Sequence, residues 1–240
     1  MDYTLVKSKN PTQKPILFLH GWGGNKNSFI FLKNVFPESD LYFISFAGHG
    51  NSPQPQKPMT IFDFAKDVLD FMKLHNIVQP NIVAHSFGGR VALVLCSKYP
   101  NYFRKVALTG AAGLRPKRSF LYYKKVLKFK IKKWLVRLHL INKNRLNNCG
   151  SPDYNALSGA MRQTFKNVVN QNLGHAAKKI KNETLLIWGE CDSETPLKMG
   201  RKLSRYIKNS EIVVIKGGSH FCFFEEPARF ALILQYFFVS

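Results

Sequence analysis

No stretch constrains this chain more than Asn81 to Lys98, where Ile82-Val83-Ala84 runs straight into His85-Ser86-Phe87-Gly88. Asn81 to Ala84 has the apolar character of a short buried strand, and Gly88 to Lys98 reads as a helix that stops before Pro100. A serine held between them sits on a sharp strand–turn–helix elbow. Such a turn tolerates only small side chains two positions either side, and Ala84 and Gly88 supply them. The hydroxyl then stands at the start of a helix, whose unpaired N–H groups and dipole favour a developing negative charge. Ser86 is therefore a candidate nucleophile.

A serine hydroxyl attacks poorly until a base removes its proton, and the base needs a carboxylate to fix its tautomer. Two downstream motifs offer these groups. Trp188-Gly189-Glu190-Cys191-Asp192 follows the apolar run Leu185-Leu186-Ile187 and presents Asp192 as the acid, with Glu190 and Glu194 read as solvated loop charges. Gly217-Gly218-Ser219-His220 follows Ile212 to Ile215 and presents His220 as the base. An oxyanion needs two donors. The Phe87 N–H directly after the nucleophile is one, and the Trp22 N–H in the loop His20-Gly21-Trp22-Gly23-Gly24 is the other. His20 is read as structural, and His85 as facing away along the elbow. Ser52 is a weak rival nucleophile, because no strand and helix flank it.

Further strands are expected at Ile16 to Leu19, Leu41 to Phe46 and Val106 to Leu108, and helices from Thr60 (with Asp63 completing a capping box) and from Pro227 to Phe238. Strands alternating with helices predict an α/β fold, a mainly parallel sheet with helices on both faces. Residues 115–181 break the alternation with helical patterns and no convincing strand. The division expected is an α/β core over residues 1–114 and 182–240, carrying an inserted basic helical cap over 115–181.

Read together, the motifs HGWGG, GHGNS, AHSFGG, WGECDSETP and GGSHF resemble those of the α/β-hydrolase superfamily, in its small esterase-like branch, in order and spacing. The similarity spans His20 to Phe221. It implies Ser86, Asp192 and His220 as a catalytic triad, and Trp22 and Phe87 as oxyanion donors. Ala84 departs from the pattern, which usually has glycine there. Relatives with an aspartate nucleophile are disfavoured by Ser86. The expected activity is hydrolysis of a carboxylic ester or related acyl bond of a small molecule through a Ser86 acyl-enzyme, with no cofactor. Two alternatives stay open: an idle hydrolase fold that binds an anionic surface or a partner, and an acyltransferase or C–C bond hydrolase with the same triad.

The formal charge of +22 is unevenly placed. Phe71 to Asn182 holds 22 lysines and arginines against one acid, Asp153, which leaves the rest of the chain nearly neutral. On a helix, Lys124, Lys128 and Lys132 form a stripe beside Phe120, Leu127, Ile131, Trp134 and Leu138. Three readings fit: a cap helix packed on the core, a contact with anionic lipid headgroups, or attraction of an anionic substrate. No nucleic-acid motif accompanies the charge, so nucleic acid is not an expected partner. The histidines show no metal-binding spacing, so no metal is expected. Without a visible signal peptide or an apolar run long enough to span a bilayer, the chain is expected to be cytoplasmic, with Cys96, Cys149, Cys191 and Cys222 reduced. Cys191 and Cys222 are read as small space-fillers beside the acid and base. The cap aromatics, Phe120, Tyr122, Tyr123, Phe129, Trp134 and Phe165, are expected to shape the pocket. Oligomeric state is left open by the sequence.

Overall fold

The computed structural model describes residues 1–115, 120–142, 152–169 and 171–239. Its strands are β1 (Tyr3–Val6), β2 (Ile16–Leu19), β3 (Leu41–Ile44), β4 (Asn81–His85), β5 (Val106–Thr109), β6 (Thr184–Gly189) and β7 (Ser210–Ile215). They form one sheet in the order β1-β3-β2-β4-β5-β6-β7. All neighbours run parallel except β1, which lies antiparallel to β3 with Tyr3 opposite Ile44.

Helices cover both faces, as the alternation predicts. They are α1 (Ile61–Leu74), α2 (Phe87–Lys98), α3 (Phe120–Arg137), α4 (Pro152–Ala156), α5 (Gly159–Val169), α6 (Gly174–Ala177), α7 (Leu197–Tyr206), α8 (Cys222–Glu225) and α9 (Pro227–Val239). Successive strand residues point to opposite faces, so a strand covered twice must be apolar throughout. In β2, Leu17 and Leu19 pack with Phe64 and Val68 of α1 and Val91 and Leu95 of α2. Ile16 and Phe18 pack with Phe43, Val83, and Phe230 and Leu234 of α9 on the other side. Thr60 caps α1 as expected: its amide donates to Asp63 Oδ2 (2.6 Å), and its hydroxyl accepts from the Asp63 amide (3.4 Å).

The edge strand β1 is not among the predicted elements. It has only four residues, and its alternation of exposed and half-buried positions is too short to stand out. Between β5 and β6 the described residues form α3 to α6 and contain no strand. The end of this segment belongs to the body of the domain, since Leu173, Ala177 and Ile180 join the core beneath α2. Residues 143–151, Cys149 among them, lie outside the described residues. No helix among the described residues is long and apolar enough to cross a membrane.

Candidate active site

Ser86, Asp192, His220 and Trp22 follow β4, β6, β7 and β2 respectively, all at the carboxyl edge of the parallel strands. Open α/β sheets bind their ligands at this edge. Ser86 adopts φ +46° and ψ −103°, a conformation that costs a non-glycine residue energy. The surroundings hold it there. Its amide donates to the Thr109 carbonyl (3.1 Å), and its carbonyl accepts from the Ala112 amide (3.1 Å). At Gly88 a Cβ would stand 2.3 Å from the Leu19 carbonyl oxygen, so α2 can begin against β2 only with glycine there. Ala84 is fully buried in β4 between Leu19 and Leu108, and its methyl group is accommodated in the sheet.

Asp192 and His220 are both buried, and Nδ1 of the imidazole donates to Asp192 Oδ2 at 2.8 Å. The amides of Glu194 (2.9 Å) and Thr195 (2.8 Å) donate to the other oxygen, Oδ1. The Thr195 hydroxyl lies 2.8 Å from Oδ2 and 3.0 Å from the Gly110 carbonyl, and shares its one hydrogen between them. Burial works to raise the Asp192 carboxyl, but the bonds from His220 and Thr195 outweigh it, and its pKa lies below the ordinary value. Asp192 thus enters the site charged, and Nε2 of His220 presents its lone pair. Gly110, at φ +49°, makes room behind the pair: a Cβ there would press on the imidazole at 3.0 Å.

Two further histidines are held neutral. His20 donates from Nδ1 to the Gly21 carbonyl (2.7 Å) and accepts the Phe46 amide at Nε2 (3.0 Å), which uses both ring nitrogens structurally, as expected. Burial pushes its pKa down to about 3. His85 differs from the expectation. It does not face away: its Nε2 donates to the His220 carbonyl (3.1 Å), its ring packs 4.6 Å from that of His220, and it lines the same cavity. Burial, reinforced by the neighbouring His220, also brings His85 to about 3.

Ser86, His220, Trp22, Phe221, Phe223 and Phe224 line a cavity of about 270 Å³. A larger hollow of about 780 Å³ lies between β6, β7 and α9, near Thr184 and Ser210. That is the amino edge of the strands, where none of the motif residues reach, so the smaller cavity is the candidate site. The amides of Trp22 and Phe87 have no partner among the described residues. The Trp22 indole is wedged edge-on between Phe87, His49 and Phe165, which holds that loop in place.

Glu194 is not merely solvated. Its Oε2 stands 3.5 Å from His220 Nε2, and among the described residues no hydrogen bond joins Ser86 to His220. A carboxylate and a lone pair gain nothing from each other, and the Glu194 side chain is 61% exposed and free to swing aside. A loose nucleophile–base contact that tightens once substrate binds is common in free enzymes. Glu190 also has a partner, the Gly217 amide at 3.0 Å.

Several supporting residues escaped the sequence reading. Thr195 was detectable, because an aspartate followed by a threonine three positions on is a pattern in which the carboxylate caps nearby amides. Glu225 fixes the loop that carries His220 through the Ser219 amide (2.8 Å) and hydroxyl. Arg90 of α2 donates to the carbonyls of Val169 (3.1 Å) and Gln171 (3.0 Å), tying the elbow helix to the end of α5. Neither of these left a local signal. Cys222 is buried and its thiol is pushed up by burial, whereas Cys191 is exposed and fills no space. Of the cap aromatics, Phe165 reaches Trp22, while Tyr123, Phe129 and Trp134 are exposed and line no part of this cavity. The side chains of Phe120 and Tyr122 lie outside the described residues.

This sheet, with its elbow and buried Asp–His pair, defines an α/β enzyme of hydrolase type. The alpha/beta hydrolase fold family matches residues 14–137, and the chain belongs to that family. A second family, described as TAP-like protein, matches residues 156–238. Among relatives, the pimeloyl-[acyl-carrier protein] methyl ester esterase of Neisseria meningitidis serogroup C is 26% identical over 257 residues, 96% of each chain. The AB hydrolase superfamily protein YisY of Bacillus subtilis is 26% identical over 93% of this chain and 91% of its own. The solved esterase EaEST from Exiguobacterium antarcticum superposes with a TM-score of 0.77 at 19% identity, covering 99% of this chain and 95% of its own. That likeness establishes the fold.

Proposed function

We propose that this hydrolase cleaves carboxylic esters through an acyl-enzyme on Ser86. The observation that carries this reading is the buried His220–Asp192 bond of 2.8 Å opening onto the cavity that Ser86 lines. Ser86 Oγ attacks the ester carbonyl and its proton passes to His220 Nε2. The C–O bond then breaks, and that proton leaves with the alcohol. Water repeats the sequence, releasing the carboxylic acid and restoring Ser86. Asp192 holds His220 in the required tautomer and stabilises its charged form. The Trp22 and Phe87 amides hold the oxyanion. Residues 115–181 act as the cap, anchored through Arg90, Leu173 and Ala177.

The small cavity with Phe221, Phe223 and Phe224 on its wall favours a compact, apolar ester. The relatives named as methyl ester esterases support a methyl ester as the cleaved group. A cytoplasmic location fits the free thiols of Cys96, Cys191 and Cys222. The test is hydrolysis of p-nitrophenyl esters from acetate to decanoate. Turnover is expected to peak among the short chains, and a decanoate optimum or no turnover at all would overturn the reading.

Thr195→Val keeps the side-chain shape but removes the hydroxyl on Asp192. A hydrogen bond to a charged group is worth about 1.5–3 kcal/mol, so kcat is expected to fall roughly 10- to 100-fold with KM little changed. Thr195→Ser should restore most of it. Equal rates for all three proteins would show that the hydroxyl does not steady the acid.

A further inference from the structure

Among the described side chains, the apolar stripe of α3 is not packed on the core. Leu127, Ile131, Trp134 and Leu138 are 59%, 49%, 58% and 47% exposed. Helical geometry continues past Arg137, since the Leu138 amide donates to the Trp134 carbonyl at 3.0 Å. At 100° per residue these four side chains fall in a sector about 60° wide. Lys128 and Lys132 flank it on one side and Lys130 and Arg137 on the other, and α3 carries no acid anywhere along its length. An exposed apolar ridge between two basic margins is poorly suited to water.

We propose that α3 is a docking surface for anionic lipid bilayers, lying in the plane of the interface. Leu127, Ile131, Trp134 and Leu138 would enter the boundary between headgroups and acyl chains. The flanking lysines would extend along the surface to the phosphates. Charge complementarity selects the occupant: the lysines meet a negative surface, and no carboxylate on the helix repels it. The composition favours a bilayer over an acidic protein. Protein interfaces are depleted in lysine and enriched in arginine, whereas the described basic side chains of α3 are lysines apart from Arg137. Tryptophan beside lysine is the usual equipment of a helix lying on a membrane. The docking is separate from ester hydrolysis, because none of the described side chains of α3 lines the cavity that holds Ser86.

The experiment is co-sedimentation of the full chain with vesicles of phosphatidylcholine alone or mixed with phosphatidylglycerol, at low and high salt. Trp134 fluorescence is followed in parallel. Binding is expected only to the mixed vesicles, lost at high salt, with a blue shift that disappears in Trp134→Phe. The triple variant Lys128→Glu, Lys130→Glu, Arg137→Glu alters exposed side chains and is expected to keep its melting temperature and its turnover of soluble esters. Each lysine or arginine contributes about fivefold to binding at an anionic surface, so the triple variant should bind at least about a hundredfold more weakly. Absence of binding to the mixed vesicles, equal binding to phosphatidylcholine, or binding unchanged in the triple variant would each overturn the proposal. So would capture of a purified acidic acyl carrier protein by α3 with no capture of vesicles. Because ester turnover is measured on the same variants, a failure of docking stays distinct from a failure of the esterase reading.

Discussion

Ser86→Ala is expected to lower ester turnover by about 10⁴- to 10⁶-fold while leaving the fold intact. The size of the effect follows from the absence of a substitute. The rival Ser52 is buried, donates its hydroxyl to the Ser45 carbonyl at 2.7 Å and is not among the residues lining the cavity of Ser86. Ser28 lines the cavity, but its hydroxyl serves the Asn25 amide at 3.1 Å. Alanine meets the same positive φ as serine, and the Thr109 and Ala112 bonds use only the backbone of residue 86, so stability should change little. The measurement is kcat/KM on the best p-nitrophenyl ester, with thermal melting as the control and covalent labelling by a fluorophosphonate as a second readout. Turnover within about tenfold of wild type would remove Ser86 from the mechanism.

Acidification is expected to unfold the protein well above the carboxylate range, driven by His20 and His85. Both are held at about 3 in the folded chain, against an ordinary value of 6.5. As pH falls below 6.5 the unfolded chain takes up a proton at each ring while the folded chain refuses it. The unfolded state therefore binds more protons, and stability drops with falling pH until about 3. The slope is about 1.4 kcal/mol per pH unit for each histidine. At His20 burial is the cause, and protonating Nε2 would also destroy the acceptor of the Phe46 amide. Asp192 acts in the same direction at lower pH: its carboxyl is depressed, so the stability it lends is present above 3.8 and lost as pH falls through its folded value. Urea midpoints between about pH 7 and 4 would measure the slope. His85→Gln should lower it by about half, whatever its effect on absolute stability. A slope that is flat above pH 5 would rule the buried imidazoles out as the cause.

Much of this protein was legible along the chain because the causes are local. The elbow at Ser86 needs small neighbours, and Ala84 and Gly88 are adjacent in sequence. The strands β2, β4 and β6 are covered on both faces, so they appear as unbroken apolar runs whatever packs on them. The carboxylate and imidazole follow such runs in glycine-bearing loops, where the chain must turn tightly.

What escaped depends on distance. His85 meets the His220 carbonyl across 135 positions, so no window of sequence places one beside the other. Glu194 reads as a solvated loop charge until the sheet brings its carboxylate to His220 Nε2. Arg90 reads as one more base in a basic stretch until α5 ends above it. For α3, periodicity reveals an apolar stripe but cannot say what covers it, and the fold leaves that stripe facing water. The sequence by itself determined the buried strands of the sheet and the residue types available for acyl chemistry, since both follow from local sterics and side-chain type. Only the tertiary structure decided which residues brace the His220–Asp192 pair and which apolar face stays open, because hydrogen bonds and burial are made between segments that the chain keeps far apart.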